Sequence, residues 1–248
     1  MVRLSWKMKV AFALICSSAV LLLLHVFLFS DLHSLLFYLA LDVVFVPIQV
    51  LLVTVLIEQL MNERERQTLM RRLNMVIGAF FGEVGNTLIK MMDAGCADAV
   101  TLERGLAIAP DWEKSNYREA GEFLEGYRWK FDSHQLRLEE LKAFLLKNRN
   151  FVLGLLQNPN LLEHDDFTDL LWAVCHLSEE LEARQSLQEL PATDLKHLET
   201  DIERAFRILV REWLAYLQHL SVHYPYMHSL SVRTNPFNPA ATPVIFGD

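Results

Sequence analysis

Two long apolar segments lie close together at the start of the chain. Residues 10–29 contain one side chain that titrates near neutral pH, His25, and residues 35–57 form a second apolar stretch. A helix rises about 1.5 Å per residue, so about 20 apolar residues cross the roughly 30 Å hydrocarbon layer of a bilayer. Only residues 30–34 separate the two segments. The pattern therefore predicts an antiparallel hairpin of two membrane-spanning helices.

A cleaved signal peptide is the alternative interpretation of the first segment. The apolar region of a signal peptide is roughly 7–15 residues long and ends at a small-x-small cleavage site. Here the apolar run is longer, ends in bulky residues, and is followed at once by the second segment. These features favour an uncleaved hairpin.

Basic residues lie on both outer flanks of the hairpin, while the link between its two segments has no Lys or Arg. Because positively charged flanks stay in the cytoplasm, we expect a multi-pass protein of the cell (inner) membrane with both termini in the cytoplasm. The lipid bilayer is then one of its expected binding partners. The flanking residues are Arg3, Lys7, Lys9, Arg64, Arg66, Arg71 and Arg72.

Helical periodicity dominates the rest of the chain. Over residues 69–91, and again over residues 195–220, apolar side chains recur every three or four positions, which is typical of one face of an amphipathic helix. Thr193 is expected to cap the last long helix, which should end at Tyr224 before Pro225. Shorter helices are predicted over residues 112–131, 134–147 and 165–184, with an apolar turn over 151–156.

The predicted fold is therefore all-α, with three parts. An N-terminal transmembrane hairpin covers residues 1–57, with its spans at about 10–29 and 35–57. A cytoplasmic helical bundle domain covers residues 58–230, and a Pro-containing tail covers residues 231–248.

Three glycines share one face of the predicted helix that follows the hairpin. Gly78, Gly82 and Gly85 are spaced at i, i+4 and i+7, so another helix could approach this face closely. Packing within the chain and a seam between two copies both remain open.

Charge and cysteine content exclude some classes of protein. The net charge is −8, and residues 1–57 carry three basic and two acidic side chains, so the remainder carries −9. An acidic domain of this kind is a poor binder of nucleic acid, which needs clustered Lys and Arg. Cys16, Cys96 and Cys175 are too scattered for a disulfide framework.

Polar residues inside the predicted spans are the first candidate site. A charge at the depth of Asp42 costs roughly 2.5–3.5 kcal/mol, so this side chain should face protein or water, or be protonated. Counted from the link, His25 and Asp42 are offset by about one helical turn and could pair across the hairpin. Gln49 adds another polar side chain. A structural hydrogen bond, a contact with a partner subunit, and a proton or ion relay all fit this arrangement.

Residues 163–180 hold the densest set of possible metal ligands. Asp169, His176 and Glu180 recur at spacings of seven and four and can share one helix face, as in di-iron bundles. No Glu-x-x-His pair occurs, however, and helix capping at 163–166 with an exposed acidic face is a simpler explanation. His219 and His223, with Glu212 seven residues before His219, lack the His-Glu-x-x-His frame. We therefore predict no metal or cofactor.

Catalytic signatures such as a phosphate-binding loop, a nucleophile elbow or a Cys-x-x-Cys pair are missing. The favoured hypothesis is a membrane-anchored helical interaction or scaffold protein, not an enzyme, that binds a protein partner or a second copy. One alternative is an accessory subunit of a transporter or channel that uses Asp42 and His25. A second alternative is a helical metalloenzyme built on residues 163–180.

Overall fold

The fold is all-α, as predicted. In the computed structural model every regular element of the described residues is a helix, and their one isolated β-bridge joins Cys96 to Phe131. The structure describes residues 6–29, 32–132, 135–159, 161 and 164–245, and it describes the backbone alone at residues 6–11, 28–29, 32, 62 and 64–73. The chain divides into two compact units, Met1–Arg66 and Gln67–Asp248.

The N-terminal unit contains α1 (Trp6–Phe29) and the first part of α2 (Leu32–Phe80). Pro47 lies inside α2, which continues through it although proline has no N–H to donate to the helix ladder. The apolar side chains of both helices are exposed along most of their described length. Nothing described in this unit covers them.

Among the described residues, one helical segment, His33–Met61, is long and apolar enough to cross a membrane, and none of its most apolar stretch is buried. The apolar part of α1 with described side chains, Phe12–Phe27, is shorter than that. The second predicted span thus has a counterpart that meets the criterion of length and composition. The two-span topology and the cytoplasmic placement of both termini stay predictions.

Several residues used to predict the hairpin and its orientation lie outside the described part. They are residues 30 and 31 of the link, the basic residue Arg3, and the side chains of Lys7, Lys9, Arg64, Arg66, Arg71 and Arg72.

The C-terminal unit is built around one long helix, α8 (Ala192–His223). The end of α2 passes through a π-helical turn (Phe81–Gly85) into α3 (Asn86–Asp93), followed by α4 (Ala99–Gly105) and α5 (Lys114–Gly126). Next come α6 (Leu138–Leu156), α7 (Asp165–Ala183), α8 and α9 (Pro225–Arg233). α7 packs against both α6 and α8, and α8 also contacts α3, α5 and α9.

The apolar stripe predicted over residues 195–220 is the face that α8 buries. Leucine, isoleucine and aromatic side chains at three- and four-residue spacing point into one core, where they meet the aromatic rings of other helices. Phe206 packs edge-on against Trp129 and Phe131, and Trp213 packs against Phe237 of the tail. The buried members of the stripe are Leu198, Ile202, Phe206, Leu209, Trp213, Leu217 and Leu220.

Helix α6 is longer than predicted, because it continues through residues 148–156 where a break and a separate turn were expected. Asn148 remains helical, with its amide Nδ2 donating to the Phe144 carbonyl at 2.8 Å. Val152 is buried one turn later. Burial of the last turn against the core therefore outweighs the weak helix propensity of asparagine.

Two other helix ends also differ from the prediction. Helix α5 stops at Gly126, because residues up to Phe131 leave the helix and Phe131 forms the bridge to Cys96. Helix α8 ends at His223 with Tyr224 as its C-cap, as predicted, and is followed by a further helix, α9, with Pro225 at its first position, where a missing N–H costs nothing. Thr193 lies inside the first turn of α8 rather than at its cap, which Pro191 occupies.

Candidate functional site

Two imidazoles and two carboxylates meet where α7 packs against α8. His176 and Glu180 lie four residues apart on α7, and His197 and Asp201 lie four residues apart on α8. A spacing of four puts each pair on one face of its helix. Packing of α7 against α8 then brings the two pairs together.

The distances within this four-residue cluster are short. The Nε2 atoms of His176 and His197 lie 3.5 Å and 3.3 Å from Oδ2 of Asp201. The same atoms lie 4.0 Å and 3.5 Å from carboxylate oxygens of Glu180. One possible ligand atom from each of His176, Glu180 and Asp201 lies within 4.8 Å of the other two.

Burial increases from the imidazoles to Asp201. The side chains of His176 and His197 are 46% and 52% exposed, whereas that of Asp201 is 3% exposed. Its Oδ1 atom lies 3.3 Å from Nη1 of Arg204, while its buried Oδ2 atom has no hydrogen-bond partner. The cluster therefore ends, on its inner side, in a carboxylate oxygen without a hydrogen bond.

Arg184 fixes the second carboxylate of the cluster. Its Nη1 atom donates to Oε2 of Glu180 at 2.8 Å, and its Nε and Nη2 atoms donate to the Asp194 carboxylate at 2.8 Å and 2.7 Å. The hydrogen bond from Arg184 lowers the pKa of Glu180. Glu180 is thus held ionised, and the end of α7 is tied to the first turn of α8.

An open groove of about 320 Å³ adjoins the cluster on the side of His176. The indole of Trp172 is exposed beside it. The groove is lined by Asp169, Trp172, Ala173, His176, Arg204 and Ile208.

Comparison with known proteins places the chain in a family. Residues 2–61 match the family model "MJ1433, N-terminal helical domain", and residues 69–233 match "Uncharacterized protein MJ1433, C-terminal helical domain". A protein described as "Uncharacterized protein MJ1433", from Methanocaldococcus jannaschii, is 41% identical over 233 residues, which cover 94% of each chain. The chain belongs to the MJ1433 family. No solved structure matches it.

In this member of the MJ1433 family, α7 supplies two of the four side chains of the cluster. His176 and Glu180 belong to it, Asp169 lines the adjoining groove, and Glu163 lies outside the described residues. His197 and Asp201 on α8 were missed. A signal was present, because the spacing of His197 and Asp201 repeats that of His176 and Glu180 on the following helix.

The other imidazole pair considered from the sequence also comes together. The rings of His219 and His223 stack with their centroids 4.3 Å apart, and Nδ1 of His219 lies 3.3 Å from Nδ2 of Asn74. Burial, then the neighbouring His223, lowers the pKa of His219. Glu212 is buried on the same helix, and burial raises its pKa to about 7.

The polar residues predicted inside the spans lie on the two helices of the N-terminal unit. His25 of α1 is half-buried, and Asp42 and Gln49 are exposed on α2. Their roles remain predictions.

The three glycines differ in their surroundings. A Cβ atom on Gly78 would lie 3.0 Å from the Tyr216 hydroxyl oxygen, and one on Gly85 would lie 2.5 Å from Cδ1 of Phe81. At Gly82 a Cβ atom would meet nothing within 4 Å. The π-helical turn contains Gly82 and Gly85 but not Gly78, and its wider turn changes the angular spacing that a regular helix gives.

Proposed function

We propose that this protein is an integral protein of the cell (inner) membrane, in which a two-helix hairpin anchors a cytoplasmic helical domain. That domain would bind a protein partner or a second copy of the chain. The observation that carries the anchor is the exposure of the apolar side chains of α1 and of α2 through Ile57.

The transfer of these apolar side chains from water into lipid is strongly favourable. Removing a Val, Leu, Ile or Phe side chain from water contributes about 1.5–3 kcal/mol. Residues 43–57 of α2 alone carry more than ten exposed side chains of this kind. Their transfer into hydrocarbon would therefore contribute tens of kcal/mol, which is far more than the stability of an ordinary domain.

The basic flanks support the orientation. Arg64 and Arg66 follow the second segment closely, and no Lys or Arg lies in the link, so the positive-inside rule puts the C-terminal unit in the cytoplasm. The acidic character of that unit argues against nucleic acid as its partner.

Exposed apolar side chains on either side of the α8–α9 junction support the interaction role. Val222 lies in the last turn of α8, whereas Tyr226 and Leu230 lie four residues apart on α9, with Met227 next to Tyr226 in sequence. Val222 and Tyr226 are 69% and 73% exposed. Large apolar side chains grouped on the surface of a folded domain are typical of a protein–protein contact.

Crosslinking in native membranes, followed by mass spectrometry, tests the interaction role. The double substitution Tyr226→Ala with Leu230→Ala should abolish crosslinks made by the C-terminal unit. Glu119→Ala, at an exposed position of α5, is the matched control and should leave them unchanged. Crosslinks confined to α1 and α2 in the wild-type protein would contradict the scaffold role.

The same experiment addresses an accessory-subunit role, which the exposure of Asp42 and Gln49 on α2 supports. Polar side chains on a lipid-facing helix need a protein or water partner. If this role is correct, crosslinks should cluster on α2 around Asp42, and Asp42→Leu should remove them.

A further inference from the structure

We infer that His176, Glu180, Asp201 and His197 form a binding site for a divalent transition-metal ion of the zinc class. The site joins α7 to α8 within the C-terminal unit. It does not depend on the proposed membrane role, and each can fail without the other.

The donor set selects the class of ion. Two imidazole nitrogens with carboxylate oxygens are ligands that suit Zn²⁺ and its first-row neighbours. Mg²⁺ and Ca²⁺ prefer oxygen ligands alone, which makes the two histidines unfavourable for them.

The donor atoms lie close to the spacing required around one small ion: ligand atoms of His176, Glu180 and Asp201 lie within 4.8 Å of one another, and Nε2 of His197 lies within 3.5 Å of one oxygen of each carboxylate. With metal–ligand bonds of about 2.0–2.1 Å, two ligands of a tetrahedral site lie about 3.3–3.4 Å apart. The contacts of the imidazoles with Asp201 are 3.3 Å and 3.5 Å, and those with Glu180 are 3.5 Å and 4.0 Å. The half-exposed imidazoles would have to rotate to bring the longer contacts to this tetrahedral spacing on binding an ion.

The buried Oδ2 atom of Asp201 also favours a bound cation, independently of the donor spacing. A carboxylate oxygen removed from water without a hydrogen bond is unfavourable, because its desolvation is uncompensated. Oδ2 of Asp201 is in this condition and lies between the two imidazoles' Nε2 atoms and the core. A bound cation would supply the missing partner.

The arginines around the cluster orient its ligands. Asp201 gives Oδ1 to Arg204 and keeps Oδ2 for the site. Glu180 accepts from Arg184 at Oε2, which also lies 3.5 Å from Nε2 of His197, while its Oε1 lies 4.0 Å from Nε2 of His176. Hydrogen bonds to a ligating carboxylate are a usual feature of metal sites, since they fix its direction.

The alternative is a set of ion pairs in which protonated histidines neutralise the carboxylates without metal. The two explanations differ in an observable way. A metal site binds one ion per chain with an affinity that depends on each ligand, whereas the ion pairs bind none.

The test uses the full-length protein in detergent after removal of metal with a chelator. Zn²⁺ is titrated in competition with a chromophoric chelator, and Co²⁺ is titrated for the visible absorption of a tetrahedral site. We expect one ion per chain, and a higher thermal unfolding temperature with Zn²⁺, because the ion binds only the folded arrangement.

Four variants, His176→Ala, His197→Ala, Glu180→Gln and Asp201→Asn, should each weaken Zn²⁺ binding by at least about 10–100-fold, the loss that even an outer partner of a metal site causes. His223→Ala is the matched control, because it removes an exposed imidazole from the other histidine pair. It should leave the affinity unchanged.

Absence of saturable Zn²⁺ binding by the wild-type protein would overturn the site. Wild-type affinity in His176→Ala and His197→Ala would overturn it as well, as would loss of binding in His223→Ala alone. The two imidazole variants alter half-exposed side chains and should fold, so they decide the question even if Asp201→Asn does not fold.

Discussion

Replacement of Glu212 by glutamine should change how the stability of the C-terminal unit depends on pH. Glu212 is 8% exposed on α8. Burial, followed by repulsion from Asp166, raises its pKa from 4.5 to about 7, and Arg211 opposes this only in part. The folded state therefore holds the proton more tightly than the unfolded state does.

The sign follows from proton linkage. Below pH about 4.5 the carboxyl is protonated in both states, and its neutral form fits the core. As the pH rises from there through 7, the unfolded state loses the proton first, so the free energy of unfolding falls. A difference of about 2.5 pKa units corresponds to about 3 kcal/mol, which is fully lost above pH about 7.

Glutamine stays neutral at every pH, so Glu212→Gln should match the wild type near pH 4 and exceed its stability by about 3 kcal/mol near pH 8. Urea unfolding of the detergent-solubilised protein, followed by tryptophan fluorescence, measures this difference at each pH. Glu119→Gln, at an exposed position of α5, is the control. A difference between variant and wild type that does not change from pH 4 to pH 8 would refute the reasoning.

Three further predictions concern the C-terminal unit. Gly85→Ala should cost about 1–3 kcal/mol of unfolding free energy, because its Cβ atom would lie 2.5 Å from Cδ1 of Phe81. Gly82→Ala, whose Cβ atom would meet nothing within 4 Å, should instead gain about 0.5–1 kcal/mol, and equal effects of the two substitutions in urea unfolding would contradict this difference. Trp213→Ala removes a fully buried indole and should cost about 3–5 kcal/mol, a loss that thermal unfolding would reveal and that a shift below 1 kcal/mol would contradict. Asp93→Asn should stabilise the protein above pH 7 and not near pH 4, because burial raises the pKa of this carboxyl to about 7. Urea unfolding over the same pH series measures this effect, and the opposite pH trend would contradict the prediction.

Periodicity was sufficient to predict the helices that bury a regular stripe. The stripe from Leu198 to Leu220 became the core face of α8, because burial of a continuous apolar face is also what stabilises a long helix. The end of α6 was not predictable in this way. Asn148 has weak helix propensity, and the helix continues through it because Val152, one turn later, is buried in the core.

The candidate site could likewise be predicted only in part from the sequence. His176 and Glu180 could be found from their spacing on one helix. Their meeting with His197 and Asp201 depends on the register between α7 and α8, which is set by packing of the core and by the Arg184–Asp194 ion pair. Spacing within a helix is local information, whereas the register between two helices is not.

The most direct test of the proposed anchor is alkaline extraction of membranes combined with protease treatment from outside intact cells. The account predicts that the full-length protein stays in the membrane pellet at high pH, dissolves only with detergent, and keeps its C-terminal unit intact while the cells are sealed. Opening the cells should make that unit accessible to the protease. Recovery of the protein in the aqueous extract, or digestion of the C-terminal unit in sealed cells, would contradict the account.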